Sequence, residues 1–440
     1  YGFVRLQEVL RLELTLLSKN GGYQIFASAK KGKNILMIMV VPLAILFPAK
    51  KLKNIVERHQ IWDEGILLGF INNIYQAGSN IIHYPTPIHF NMPKTIELNR
   101  NENPYGPSPL ALKALRQFRR SHAFMYLEDY YNSLLIPKIS RHFGIEKNRI
   151  ILYYGIEDFI RNLFSQLDPK KDCVLTNEKC FSYFEIFASF RKIKLHLFKL
   201  DQENHTFSFN IDDCLKKIKK YRPRVVIISN PNNPTGHRIS FLDLERIIKN
   251  TPRDSFFLVD ETYCGFYPNY EEKKFKQFLE KYPNLVFLRT FSKFYGLAGL
   301  RVGFGFCGKS FKKMMGYDDR FLGFSRVLEE VAVAALNSEV FYKKIAKKIC
   351  QDRDWFINQV NLLKNFRAYD SSGNFTLVEL SPQALRRFKR SRKNETVIIW
   401  RWVDKKSFRV SIGKTSHLKN FLSSLQEIDY KIKNRAPKIK

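Results

Sequence analysis

From Leu98 onward one pattern repeats along the chain: a short apolar run, a polar turn, then a helical stretch. Strand-like runs at 173–176, 195–200, 224–229, 255–260 and 285–290 alternate with helical patterns at 109–118, 156–166 and 182–190. Strands that alternate with helices predict a mostly parallel sheet covered on both faces. In such a sheet, ligands collect beyond the carboxyl ends of the strands, so the residues just after each run carry the most information. Those residues are polar: Asn230-Pro231-Asn232-Asn233-Pro234-Thr235-Gly236 after one strand, Asp260-Glu261-Thr262-Tyr263 after the next, and Thr290-Phe291-Ser292-Lys293 after the third. An amide, a carboxylate with a phenol, and an amine are therefore expected at one rim.

The flanking segments read differently. From about Val327 the pattern predicts one long helix, then strands at 375–380, 397–402 and 408–412, which together make a smaller α+β unit. Residues 1–92 carry no chemical motif. They show a Leu-rich helical pattern at 6–17, a turn at Gly21-Gly22, an apolar run at 35–47 and a helical stretch near 52–75. Pro85, Pro87 and Pro93 then mark an extended linker. The expected organisation is an N-terminal extension at 1–92, an arm at 93–130, a large domain at 131–326, a small C-terminal domain at 327–428 and a basic tail at 429–440.

Composition sets limits on function. With 45% hydrophobic and 26% charged residues among 440, the chain has the balance of a folded globular protein. Its 74 Lys and Arg against 41 Asp and Glu leave a formal charge of +33. The basic residues are scattered rather than gathered in one arm, so solvated faces explain them, and neither a specific nucleic-acid partner nor a membrane partner is expected. The apolar run at 35–47 is shorter than the roughly 20 residues of a spanning helix and contains Pro42, and no small-residue cleavage site follows it. The six cysteines are far apart and the histidines, His59 and His237 among them, lack ligand spacing, so no disulfide framework or metal site is expected. A cytoplasmic protein is the resulting expectation. Gly303-Phe304-Gly305-Phe306-Cys307-Gly308 fits a dinucleotide-binding pattern but follows a Gly-rich loop rather than a strand, and is read as a strand of the large domain.

The polar tips occur in company. Asn101-Glu102-Asn103-Pro104-Tyr105-Gly106-Pro107, Gly155-Ile156-Glu157-Asp158, Asn233-Pro234-Thr235-Gly236, Asp260-Glu261-Thr262-Tyr263, Ser292-Lys293 through Gly299-Leu300-Arg301, and Arg409-Val410-Ser411-Ile412-Gly413 follow one another across 98–426. In this order they resemble the fold type I pyridoxal-phosphate enzymes of the class I/II aminotransferase superfamily, and within it the histidinol-phosphate aminotransferase group. The resemblance implies a large domain with a mostly parallel seven-stranded sheet between helices, a smaller α+β domain and a homodimer with shared active sites. It also implies pyridoxal 5'-phosphate as cofactor.

By the same resemblance Lys293 holds the cofactor as a Schiff base and moves the substrate proton, work suited to an activated amine. Asp260 keeps the ring nitrogen protonated, and Asn233 and Tyr263 bond the ring's phenolic oxygen. Gly155, Ile156 and Glu157 at a helix start, with Thr290, Ser292 and Arg301, form the phosphate cup, and Phe181 stacks on the ring. Tyr126 of the partner subunit reaches the phosphate. Arg409 takes the substrate carboxylate, Arg401 the distal phosphate, and Asn103 is a further substrate contact. Read one at a time, these residues have plainer explanations: a surface lysine, a helix-capping Asp260, turn chemistry at Asn233, a core aromatic at Phe181. The loop 402–408 is shorter than the family's usual connection.

The implied reaction transfers an amino group between an anionic, including phosphorylated, amino donor and the 2-oxo acid 2-oxoglutarate. The alternatives are a threonine-phosphate-type decarboxylase with the same cofactor, or a catalytically degenerate basic binding protein.

Overall fold

The computed structural model describes residues 94–117, 133–267, 270–315, 323–388 and 396–434, together with three strands between residues 11 and 42. The chain divides into two compact units, 1–92 and 93–440. In the first, β1 (Arg11–Lys19), β2 (Gly22–Lys31) and β3 (Asn34–Pro42) form an antiparallel sheet. The helical reading of 6–17 is thus corrected over its described part. Leu12, Leu14 and Leu16 alternate with Glu13 and Thr15, and that period of two belongs to a strand. Part of the apolar run is likewise strand β3. The stretch at 52–75 and Tyr126 lie outside the described residues.

The second unit opens with β4 (Lys94–Glu97) and α1 (Pro109–Arg116), followed by α2 (Leu135–Phe143), β5 (Ile150–Tyr153) and α3 (Gly155–Ser165). Next come β6 (Cys173–Asn177), α4 (Ser182–Phe190) and β7 (Lys194–Phe198). A hairpin of β8 (Leu200–Glu203) and β9 (Thr206–Phe209) precedes α5 (Ile211–Tyr221). The run continues through β10 (Val225–Ser229), α6 (Phe241–Asn250), β11 (Phe256–Asp260), α7 (Glu272–Lys281), β12 (Leu285–Thr290), β13 (Gly303–Cys307) and α8 (Phe311–Met315).

Seven of these strands form one sheet in the order β5-β13-β12-β11-β10-β6-β7. Only β13 runs antiparallel to its neighbours β12 and β5. The central strands β10 and β11 are buried throughout and apolar up to their last residues, Ser229 and Asp260, because both faces are covered. Val226, Ile228, Phe257, Val259 and Phe287 pack into one core with residues of α2, α5, α6, α7 and α9 (Arg326–Leu336), among them Ile139, Ile218, Ile247, Leu279 and Ala335. Val225, Ile227, Leu258, Val286 and Leu288 pack into another with α3, α4 and α8, through Phe159, Phe184 and Phe311.

After α9 come α10 (Glu339–Asn361), β14 (Phe366–Ala368), β15 (Phe375–Leu380), α11 (Pro382–Phe388), β16 (Thr396–Ile399), β17 (Arg401–Trp402), β18 (Ser407–Ser411) and α12 (Thr415–Lys433). The single long helix expected from Val327 is in fact α9 and α10, broken at Asn337-Ser338. Ser338 Oγ donates to the carbonyl of Ala334 and accepts from Ser108 Oγ, the local competition by which serine weakens a helix. The smaller sheet, β14-β15-β18-β17, packs Phe375, Val378, Phe408 and Val410 against Phe356 of α10 and Phe421 and Leu425 of α12. The expected strand at 397–402 is two strands in separate sheets: β16 pairs in parallel with β4, and β17 joins β18 in a hairpin. The expected run at 195–200 likewise splits into β7 and the start of β8.

Gly303 sits where β13 crosses between Tyr153 and Thr290. A Cβ there would run into the Tyr153 ring, which is itself fixed by hydrogen bonds to the carbonyls of Arg289 (2.9 Å) and Phe304 (2.7 Å). Gly303→Ala is therefore expected to cost about 1–3 kcal/mol of overpacking strain, read as a lowered denaturant midpoint. An unchanged midpoint would mean that the ring yields.

Candidate functional site

Register brings the expected tips together. Ser229 of β10 lies beside Asp260 of β11, and Asp260 beside Leu288 of β12. The chain leaves each strand at the same edge, with Asn230 N–H bonded to the carbonyl of Asp260 and Glu261 N–H to that of Leu288, both at 2.8 Å. Asn233, Asp260, Tyr263 and Lys293 thus emerge at one rim. The smaller sheet adds Arg409, which sits on β18 and is 4% exposed.

These residues form one network. Arg409 Nη1 donates to Asn233 Oδ1 (2.6 Å), and Asn233 Nδ2 donates to the Tyr263 hydroxyl (3.2 Å). Asn101 Nδ2 donates to the same hydroxyl at 3.0 Å. Arg409 Nη2 donates to the carbonyl of Asn99, and Lys293 Nζ to the carbonyl of Arg100 at 2.7 Å, so the arm lies along the site. Arg409 Nε is buried with no hydrogen-bond partner among the described residues.

Electrostatics follow from burial and neighbours. Desolvation, with the Arg409 cation behind it, lowers the Lys293 amine to about 7, against the opposing pull of Glu102. Burial raises the Asp260 carboxyl, opposed by hydrogen bonds from Thr262 Oγ1 (2.6 Å) and Thr262 N–H (3.0 Å) and by the nearby Lys293. Burial also lowers the Arg409 guanidinium to about 10, with Arg401 adding like-charge repulsion. Tyr263 is raised by burial and lowered by Arg409.

A second cluster lies beyond β12. At the N-terminus of α3 the N-cap residue Tyr154 makes no side-chain cap, Asp158 Oδ2 accepts from the Tyr154 N–H (3.1 Å), and Gly155 has φ 79°. The Arg301 guanidinium approaches so closely that a Cβ on Gly155 would strike it, and Arg301 Nη2 lies 3.8 Å from Glu157 Oε2. Thr290 Oγ1 donates to Ser292 Oγ (2.9 Å) and accepts from Ser292 N–H (3.1 Å). A helix start with a guanidinium and two hydroxyls suits a phosphate, and the glycine leaves room for it. Together with a neutralisable amine and a buried carboxylate, this donor set fits pyridoxal phosphate.

The remaining expected residues sit at the margins. Phe181, half-buried ahead of α4, stacks on Tyr183 at 5.0 Å and meets Phe184 edge-on. Arg401 faces Arg409 across the β17–β18 hairpin and donates to Ser182 Oγ at 2.6 Å, while Lys179 pairs with Asp404 in the hairpin turn. The Asn103 side chain braces its own segment, donating to the carbonyl of Phe294 next to Lys293 and accepting from Tyr105 N–H, each at 3.0 Å. Sequence reading assigned no role to Asn101, Ser411 or the carbonyls of Asn99 and Arg100. An Asn in an Asn- and Pro-rich stretch reads as turn chemistry, and a backbone carbonyl leaves no trace in residue types.

Comparison with known proteins agrees with this arrangement. The family model described as aminotransferase class I and II matches residues 93–425. A histidinol-phosphate aminotransferase of Methanocaldococcus jannaschii is 29% identical over 343 residues, 76% of this chain and 89% of the relative. The histidinol-phosphate aminotransferase of Sinorhizobium meliloti, solved in complex with pyridoxal-5'-phosphate, superposes with a TM-score of 0.67 at 20% identity, covering 81% of this chain and 100% of that one. The L-threonine-O-3-phosphate decarboxylase of Porphyromonas gingivalis shares the fold, with a TM-score of 0.61 at 17% identity over 76% of this chain and 98% of that one. The chain belongs to the class I and II aminotransferases, and it is a pyridoxal-phosphate-dependent transaminase.

Proposed function

We propose that this transaminase moves an amino group from an anionic donor of the histidinol-phosphate kind to 2-oxoglutarate, with Lys293 holding the cofactor covalently. The observation that supports this most is the meeting of Lys293, Asp260, Tyr263, Asn233 and Arg409 at one rim. When bound, pyridoxal phosphate supplies an aldehyde and an electron-withdrawing ring.

The chain's own residues do the rest. A Lys293 amine titrating at about 7 is available as a nucleophile near neutral pH, and afterwards as the base that takes the proton from the substrate's α-carbon. Asp260 offers a buried carboxylate to the ring nitrogen. Tyr263 and Asn233 hold the ring oxygen, and the α3 N-terminus with Thr290, Ser292 and Arg301 holds the phosphate, with Phe181 against the ring.

Arg409 and Arg401 are direct cross-strand partners, so their guanidinium groups approach and repel. A substrate with two anionic ends relieves that repulsion: Arg409 would take the carboxylate and Arg401, beside Ser182, the distal phosphate. Asn103 acts on the substrate only through the arm it braces. The reading also carries a homodimer, with Tyr126 of the partner subunit at the phosphate, and a cytoplasmic setting. A decarboxylase of threonine-phosphate type draws on the same site, since its substrate also has two anionic ends. Among the described residues, no helix is long and apolar enough to cross a membrane.

Protein loaded with cofactor is expected to absorb in the visible, and Lys293→Ala to lose that band. Incubation with histidinol phosphate and 2-oxoglutarate should yield glutamate. Carbon dioxide from threonine phosphate without glutamate would replace the transaminase reading of the substrate with the decarboxylase one. In cofactor-free protein, the rate at which an amine-acylating reagent labels Lys293 should rise with pH to a plateau with its midpoint near 7. A midpoint above 10 would contradict the burial argument. Arg401→Ala should raise KM for a phosphorylated donor by about thirtyfold, equivalent to about 2 kcal/mol for a truncated charge pair, and leave KM for 2-oxoglutarate nearly unchanged. Equal effects on both substrates would remove Arg401 from the distal subsite.

A further inference from the structure

The Tyr263 hydroxyl receives two hydrogen bonds, from Asn233 Nδ2 (3.2 Å) and Asn101 Nδ2 (3.0 Å). The orientation of each amide is set by its other partner. Asn233 Oδ1 accepts from Arg409, which can only donate, so the amide nitrogen is the end that faces Tyr263. Asn101 is fixed through Ser411. The Ser411 hydroxyl accepts from Asn101 N–H (2.7 Å) and gives its one proton to Asn101 Oδ1 (2.8 Å), which again turns the nitrogen toward the phenol. With both contacts at its oxygen coming from N–H groups, Tyr263 has its own proton left to donate, and no described side chain accepts it.

Asn101 is built into place. It is fully buried, its backbone has φ 54°, and its carbonyl accepts from Asn374 Nδ2 at 2.9 Å. A left-handed backbone at a buried non-glycine residue persists only where the surroundings hold it, and asparagine is among the residues that tolerate it best. Ser411 lies two residues beyond Arg409 on β18, so the strand that presents the guanidinium to Asn233 also presents the hydroxyl that orients Asn101.

We propose that Asn101 is a positioning residue that keeps Tyr263 a hydrogen-bond donor toward the cofactor's ring oxygen. This rests on the reading above that Tyr263 faces that oxygen. Asn101 itself touches neither substrate nor cofactor.

Asn101→Asp tests it, because the replacement is nearly isosteric and tolerates positive φ. One carboxylate oxygen still accepts from Ser411, and the other places an acceptor where a donor stood, so the phenol's proton turns away from the ring. Losing a donor to the ring oxygen and gaining a negative charge both favour the protonated form. In cofactor-loaded protein, the pH midpoint of the visible band is expected to rise by on the order of one unit, with weaker cofactor binding and turnover lowered about tenfold or more. Asn101→Gly, which accepts the backbone angle and only removes the donor, should shift the midpoint less in the same direction. In a Tyr263→Phe background, Asn101→Gly should add no further shift. Asn374→Ala, which loosens Asn101 without touching its amide, should lower thermal stability and leave the midpoint in place.

A folded Asn101→Asp protein with the wild-type midpoint overturns the proposal alone. So does a shift from Asn101→Gly that persists undiminished in the Tyr263→Phe background. A wild-type protein with no titrating visible band overturns the proposal together with the reading of Lys293.

Discussion

Parallel pairing in register is the constraint on which the site depends. Once Ser229, Asp260 and Leu288 lie side by side, the following residues must leave the sheet at one edge. Three stretches of chain far apart in sequence then supply an amide, a carboxylate with a phenol, and an amine without any long loop having to find its place. The apolar interior of each strand serves this purpose as much as stability. Burial on both faces fixes the register, because a one-residue slip would exchange the two cores built by Val226 and Ile228 on one side and Val225 and Ile227 on the other.

The same burial sets the chemistry. Glu261, next to Asp260, is buried with Arg289 at 2.8 Å, and the Arg289 guanidinium lies over the rings of Phe143, Tyr270, Phe275 and Phe306. Burial raises Glu261, and the Arg289 charge counters this. A full negative charge left uncompensated beside Asp260 would push that carboxyl further up. The Glu261–Arg289 pair therefore does more than join two strands, since it limits the repulsion felt by its neighbour.

Much of this was legible in the sequence, for physical reasons that differ by element. Strands β12 and β15 match their expected bounds because both are rich in apolar and β-branched residues, and helix α4 because its apolar residues recur at helical spacing. The leucine content of 6–17 suggests a helix, but Leu12, Leu14 and Leu16 recur with the period of two that belongs to a strand. The run from Val327 kept a helical period across Asn337-Ser338, and only the serine's bonds to Ser108 and Ala334 reveal the break. In the candidate site, residues announced by charge and strand position, such as Lys293 and Asp260, could be picked out before any geometry. Asn101 could not, because what sets it apart is a backbone angle and four hydrogen bonds to three residues distant in sequence.

The arm's carbonyls at Asn99 and Arg100 have one more implication. They turn the negative ends of two peptide dipoles toward Arg409 and Lys293, cations close enough to lower the lysine's affinity for a proton. These dipoles act as a fixed, uncharged counterion, present before any anionic ligand arrives. Without those two carbonyls both cations would stand unshielded, and the pocket would become a stronger trap for stray anions and a poorer place for an amine to hold its charge.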